Sequence, residues 1–149
     1  LEKGEYDAII LSKAGVDALN LQHKISQEFS IDEIIPCAGQ GIIAIQCRED
    51  DNEIKELLEN INDQETRIVA KAEREVLKVL EGDCDTAVGG LAKLSNDKIF
   101  LKSELFSNDG KKKFEFQTSG HFSEAKEIGY KVGKELLKKA GSNFTTQGN

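Results

Sequence analysis

The sequence predicts an α/β portion followed by a small α+β domain with a three-stranded antiparallel sheet and helices on one face. Two short apolar runs early in the chain are typical of buried parallel strands, because polar residues do not alternate within them. Three strand-like segments separated by short polar turns lie between two amphipathic helices later in the chain. Helices packed on one face of a small sheet make a compact α+β domain.

The first 60 residues are predicted to form two β-α units. Residues 6–11 become continuously apolar and predict a buried strand, and residues 15–28 predict the helix that follows it. Residues 42–45 predict a second buried strand, and residues 53–61 a short helix. Two such units do not complete a parallel-sheet domain. We therefore expect the chain, which starts at Leu1 and contains no Met, to be a segment of a longer protein.

The first element of the predicted α+β domain is a long helix. Asn62-Asp63 can cap its N-terminus, and Gly82 is expected to end it in the left-handed conformation. Apolar residues recur every four positions along it, which predicts one buried stripe. The members of this stripe are Ile68, Ala72, Val76 and Leu80.

Three strands and a final helix complete the prediction. Strands are predicted at residues 86–94, 98–106 and 112–118, with hairpin turns at residues 96–97 and 108–110. A helix is predicted from about residue 123 to residue 140, with Gly141 as its C-terminal cap. Its buried stripe is predicted to contain Ala125, Ile128, Val132, Leu136 and Leu137.

Composition argues against several classes of function. A net charge of −7 argues against a nucleic-acid partner, and no apolar run is long enough to span a membrane. The basic run at residues 111–113 is typical of the solvated side of a turn. The odd number of cysteines, three, argues against a disulfide framework, and His23 and His121 lack metal-ligand spacing to them. We expect a cytoplasmic protein with reduced thiols and no metal site.

Three short motifs carry a resemblance to one protein family. The motifs are Tyr6-Asp7-Ala8-Ile9-Ile10-Leu11 with Ala14-Gly15, Gly39-Gln40-Gly41 with Cys47-Arg48, and Glu73-Arg74 with Leu80-Glu81-Gly82, Cys84 and Val88-Gly89. In order and spacing they resemble the C-terminal half of the hydroxymethylbilane synthase (porphobilinogen deaminase) family. The last motif is similar to the cofactor-attachment signature of that family.

The resemblance implies a domain organisation. Residues 1–38 would end the second of two α/β domains that resemble periplasmic binding proteins, and residues 39–60 would return to the first. Residues 61–149 would form the C-terminal α+β domain, which carries the cofactor. The active-site cleft would lie between the two α/β domains, and the complete enzyme is expected to be a monomer.

The resemblance also implies a reaction. Porphobilinogen, the small-molecule substrate, would be condensed head-to-tail into a linear tetrapyrrole, with release of ammonia, on a dipyrromethane primer that a thioether joins to Cys84. Gln40 and Gly41 would face the cleft and bind the cofactor. Arg48 would bind a substrate carboxylate or form a structural ion pair with the acidic residues after it. The family's catalytic aspartate lies upstream, so no catalytic residue is assigned and the chain alone is expected to be inactive.

Alternatives remain beside this interpretation. Free cysteines are usually small buried residues, which is the role expected for Cys37 and Cys47, and an isolated glycine pair usually marks only a turn. A non-catalytic interaction or redox-sensing domain with a structural Cys84 is therefore the main alternative. The chain also departs from the family at Ala18, where an arginine is usual, at Asp83, where a small residue is usual, and at Ala87, where a proline is usual. These departures suggest a third possibility, a degenerate synthase that binds pyrroles without condensing them.

Overall fold

The computed structural model describes residues 1, 3–81 and 86–141 of the chain. The chain divides into two compact units, Leu1–Ile34 and Ile35–Asn149. The first unit contains helix α1 (Lys13–Ala18) and a 3₁₀ turn (Gln22–Lys24), neither of which buries a residue. The helix predicted at residues 15–28 is therefore much shorter than expected.

The two strands predicted before residue 60 are not formed in the structure. Ile10 in the first run is 72% exposed, and Ile43 in the second is 90% exposed. A strand needs a neighbouring strand to satisfy its N–H and C=O groups. Within the described ranges, the strands all belong to one sheet later in the chain, and neither run is part of it.

The sheet is antiparallel, with the strand order β1 (Val88–Ser95), β2 (Lys98–Phe106) and β3 (Lys113–His121). Ser95 pairs with Lys98 across a two-residue turn in which Asn96 has a φ of 52°. Such turns require left-handed residues, which asparagine tolerates well. The three predicted strands are confirmed, with β1 starting two residues later and β3 ending three residues later than expected.

Among the described residues of the second unit, three α-helices accompany the sheet: α2 (Asn52–Glu59), α3 (Gln64–Leu80) and α4 (Ala125–Ala140). The predicted cap of α3 is confirmed, because the Asp63 carboxylate accepts a hydrogen bond from the Thr66 N–H at 2.6 Å. Helix α3 is followed by Glu81, which is left-handed with a φ of 51° and directly precedes Gly82, the residue predicted to end the helix. Gly82 itself lies outside the described residues.

Helices α3 and α4 pack on one face of the sheet and enclose the core. The predicted stripes are confirmed, with Ile68 and Leu137 at the half-buried margin. The buried apolar side chains of this core are Ala72, Val76, Leu80, Val88, Ala92, Ile99, Leu101, Leu105, Ala125, Ile128, Val132, Leu136 and Ala140. This arrangement confirms the α+β portion of the fold prediction. None of the helices within the described ranges has the length and apolar character needed to cross a membrane.

Candidate functional site

Strand β1 lies at the edge of the sheet, and other parts of the second unit cover its free edge. The Gly90 N–H donates to the Pro36 carbonyl at 2.9 Å, and the Ala92 N–H donates to Glu73 Oε1 at 2.7 Å. An uncovered edge strand would expose unpaired N–H groups to other chains. The segment that begins at Ile35 therefore lies against the edge of β1.

Glu73 joins this segment to the sheet. Its side chain is buried, and its second oxygen, Oε2, accepts the Gly39 N–H at 2.7 Å. Hydrogen bonds to a carboxylate are short and strong, and two of them offset the cost of burying the group. One carboxylate thus connects helix α3, strand β1 and the turn at Gly39.

The turn contains both residues predicted to bind the cofactor. The Gln40 N–H donates to the Cys37 carbonyl at 3.0 Å, and the Ile42 N–H donates to the Gly39 carbonyl at 3.1 Å. Gly39 and Gly41 have φ values of 79° and 80°, a left-handed conformation that favours glycine. The glycines are therefore needed to form this turn.

Gln40 and Gly41 are exposed, and their hydrogen-bonding groups are available to a ligand. Within the part of the chain that the structure describes, neither the Gln40 side-chain amide nor the Gly41 N–H makes a hydrogen bond. The space beside the Gly41 Cα atom is open. Two free N–H donors beside open space can bind a carboxylate.

Arg48 lies near the start of α2. Its Nη2 atom is 2.8 Å from Asp51 Oδ2, and its side chain is 82% exposed. Asp51 also caps α2 by accepting the Ile54 N–H at 3.2 Å. The structural ion pair predicted as one alternative is thus present, and the exposed face of the guanidinium stays accessible to a carboxylate.

Comparison with known proteins identifies the family. Residues 1–56 match the family model described as porphobilinogen deaminase, dipyromethane cofactor binding domain, and residues 68–138 match the model described as porphobilinogen deaminase, C-terminal domain. The chain belongs to the porphobilinogen deaminase family. This confirms the resemblance on which the sequence interpretation rests.

Several bacterial porphobilinogen deaminases are similar to this chain. The protein of Coxiella burnetii (strain RSA 493 / Nine Mile phase I) is 39% identical over 144 residues, which are 97% of this chain and 47% of the relative. The protein of Nitrobacter hamburgensis is 36% identical over 146 residues, which are 98% of this chain and 46% of the relative. The chain spans just under half the length of the curated relatives it matches.

The predicted attachment residue and the three departures from the family pattern lie in different parts of the chain. Cys84, the predicted attachment residue, and Asp83 beside it lie outside the described residues. Ala87 follows them, and its carbonyl accepts the Phe106 N–H at 2.9 Å next to the first residue pair of β1 and β2. Ala18, one of the departures expected from the resemblance, is the exposed last residue of α1 in the first unit.

The other two cysteines are not the buried residues that were expected. Cys37 is exposed and Cys47 is half-buried, and both are free thiols. The expectation of burial is wrong for Cys37 because this residue opens the turn, where its carbonyl accepts the Gln40 N–H. A residue at the first position of a surface turn has no core to pack into.

Glu73-Arg74 is part of a family motif, but the contacts of Glu73 are not among the features predicted from the sequence. The helix periodicity indicates that Glu73 lies beside the buried stripe of α3. Glu73 directly follows Ala72 and lies three positions before Val76, both of which are buried. A carboxylate beside a buried stripe must find hydrogen-bond donors, and such a position marks a structural or functional contact.

Proposed function

We propose that this chain is part of a hydroxymethylbilane synthase. The enzyme would condense porphobilinogen head-to-tail into a linear tetrapyrrole and release ammonia, as a transferase of heme and tetrapyrrole biosynthesis. The observation that carries the proposal is family membership along 97% of the chain, together with a match at residues 1–56 to a dipyromethane-binding model. The net charge of −7 supports a role without a nucleic-acid partner, and we propose a cytoplasmic, monomeric enzyme.

Cys84 is the proposed attachment residue for the dipyrromethane primer. A thioether requires a sulfur nucleophile, which only a cysteine supplies. The bound primer would supply a free pyrrole α-carbon as the starting nucleophile for condensation. Of the three cysteines, Cys84 stands within the match to the C-terminal family model and in the similar signature.

The turn at Gly39 is proposed to orient the primer. The Gln40 amide and the Gly41 N–H would donate hydrogen bonds to its carboxylates, since both donors are free and exposed. The turn lies within the match to the dipyromethane-binding model. Arg48 is proposed to bind a substrate carboxylate with the guanidinium face that Asp51 leaves exposed.

We also propose that residues 1–38 and 39–60 belong to two domains that resemble periplasmic binding proteins. The proposal is supported by the apolar side chains of the runs 6–11 and 42–45, of which Ile10 and Ile43 are mostly exposed. Burial of one such side chain would contribute about 1.5–3 kcal/mol. Residues 61–149 would be the C-terminal domain, whose β1 begins four residues after Cys84.

The decisive experiment is intact mass analysis of the complete gene product, with peptide mapping around Cys84. We expect the mass of a dipyrromethane on the Cys84 peptide and its loss in Cys84→Ser. Cys37→Ser and Cys47→Ser are the matched controls, and both are expected to keep the added mass. An unmodified Cys84 in folded protein supplied with porphobilinogen would reject the synthase proposal in favour of an interaction or redox-sensing domain.

The same samples distinguish an active synthase from a degenerate one. Consumption of porphobilinogen by the loaded wild-type protein is expected if it condenses pyrroles. A loaded protein that forms no tetrapyrrole would favour the degenerate synthase and direct attention to Ala18 and Asp83. The 149-residue chain alone is expected to form no product, and turnover by it would contradict the assignment of catalysis to an upstream aspartate.

A further inference from the structure

We propose that Glu73 is a positioning residue, which holds the turn at Gly39 against strand β1 and thereby fixes Gln40 and Gly41 for the primer. The inference rests on the proposed function and extends it to a residue for which that function gives no role. Its basis is the pair of 2.7 Å hydrogen bonds that one buried carboxylate accepts from Gly39 and Ala92.

The geometry gives Glu73 two partners that are distant in sequence. Gly39 lies 34 residues before it, and Ala92 lies 19 residues after it. The turn residue and the strand residue are therefore connected through the side chain of a third element. Because the bonds use both carboxylate oxygens, a shift of the turn relative to β1 would break one of them.

Other contacts hold only the residues that precede the turn. The Pro36 carbonyl accepts the Gly90 N–H, and a Cβ atom added at Gly89 would lie 2.8 Å from the Ile35 carbonyl oxygen. These contacts hold the chain before the turn, at Ile35 and Pro36. The Glu73 bond to Gly39 holds the turn itself, immediately before the two residues proposed to contact the primer.

Burial makes the carboxylate a specific anchor. The side chain of Glu73 is 4% exposed, so water does not compete well for its oxygens. Within the described residues, no cation pairs with it, and both oxygens are satisfied by backbone N–H groups alone. A backbone partner has a fixed position, so this arrangement restricts the turn more closely than an ion pair between two flexible side chains would.

The test uses amide hydrogen exchange and kinetics on the complete gene product. In the wild type, the Gly39 amide is expected to exchange more slowly than the Gly41 amide, although both lie in the same turn. In Glu73→Ala, the Gly39 and Ala92 amides are expected to lose protection, while Leu101 and Leu105 in β2 keep theirs. The control is Glu56→Ala, which removes an exposed glutamate from α2 and is expected to change none of these amides.

The kinetic readout separates positioning from stability. Turnover per primer-loaded molecule, with the loaded fraction measured by intact mass, is expected to fall about tenfold to a hundredfold in Glu73→Ala, since small displacements of reacting groups have effects of that size. A purely structural role would lower the loaded fraction but leave turnover per loaded molecule unchanged, and that result would overturn the proposal. Fast exchange of Gly39 in the wild type would also overturn it, even if the variant does not fold.

The results that would reject the proposed function differ from those that would reject the role of Glu73 alone. A wild-type protein that carries no primer rejects the synthase assignment and the functional role of Glu73 with it. Normal wild-type turnover together with unchanged turnover per loaded molecule in Glu73→Ala rejects the role of Glu73 alone.

Discussion

The regions before and after residue 60 place similar apolar side chains in opposite environments. Ile99 and Leu101 in β2 are at most 1% exposed, whereas Ile10 and Ile43 are 72% and 90% exposed. All four belong to short apolar runs that predict strands. Apolar character alone therefore does not decide whether a run becomes a buried strand.

The difference follows from how far along the sequence each strand lies from the strand it pairs with. Strands β1 and β2 are joined by a two-residue turn, so each strand has its neighbour close in sequence. A parallel strand pairs only across a long connection, and its neighbours come from distant parts of a protein. Antiparallel hairpins can thus be predicted from local sequence, while parallel strands depend on residues far away.

The largest expected effect compares one isoleucine from each region. Ile99→Ala removes a fully buried side chain and is expected to lower the free energy of unfolding by about 2–5 kcal/mol. Ile10→Ala removes an exposed side chain and is expected to change it by about 0.5 kcal/mol or less. Urea denaturation of the 149-residue chain measures both.

Similar losses of unfolding free energy in Ile99→Ala and Ile10→Ala would contradict the difference between the two regions. A large loss in Ile10→Ala would mean that residues 6–11 are buried in a sheet in solution. The same two substitutions in the complete gene product test the proposed α/β domains. There, the proposed α/β domains predict that Ile10→Ala becomes strongly destabilising.

Most of the second region can be predicted from the sequence. The bounds of β2, the Asp63 cap and the stripes of α3 and α4 all follow from local patterns, and the structure agrees with them. The contacts of Glu73 could not be predicted, because its partners lie 34 and 19 residues away. Local pattern shows that Glu73 flanks a buried stripe, but only the fold shows which N–H groups it meets.

A second, smaller effect concerns the contact between α3 and α4. A Cβ atom added at Gly129 would lie 2.3 Å from the Ala72 carbonyl oxygen, a backbone atom that cannot move aside easily. We expect Gly129→Ala to lower the free energy of unfolding by about 1–3 kcal/mol, although alanine favours helices more than glycine does. Urea denaturation measures this change.

The control for this prediction comes from the first region. Gly15 lies in α1, and a Cβ atom there would meet no atom within 4 Å. Gly15→Ala is therefore expected to be neutral or slightly stabilising. Equal destabilisation by both substitutions would show that the close approach of α3 and α4 is not what excludes a side chain at Gly129.

The smallest expected effect compares the two aspartate caps. Asp63 caps α3, which carries much of the core, whereas Asp51 caps α2, which buries no residue. Asp63→Ala is expected to lower the Tm of the chain by a few degrees, since the Thr66 N–H would lose its acceptor. Asp51→Ala is expected to leave the Tm unchanged, because fraying of α2 exposes no core. Thermal unfolding followed by circular dichroism at pH 7 measures both.

The pH dependence tests whether the Asp63 effect arises from its cap. The hydrogen bond from the Thr66 backbone N–H holds the pKa of Asp63 in the folded chain below its ordinary value of 3.8. A carboxyl group with a lowered pKa stabilises the fold fully above its unfolded pKa, and the contribution is lost as pH falls through the folded pKa. The Tm difference between the wild type and Asp63→Ala should thus stay constant from about pH 7 to about pH 5 and shrink below about pH 4. A difference that persists unchanged at pH 2 would mean that the alanine acts through helix packing rather than through loss of the charged cap.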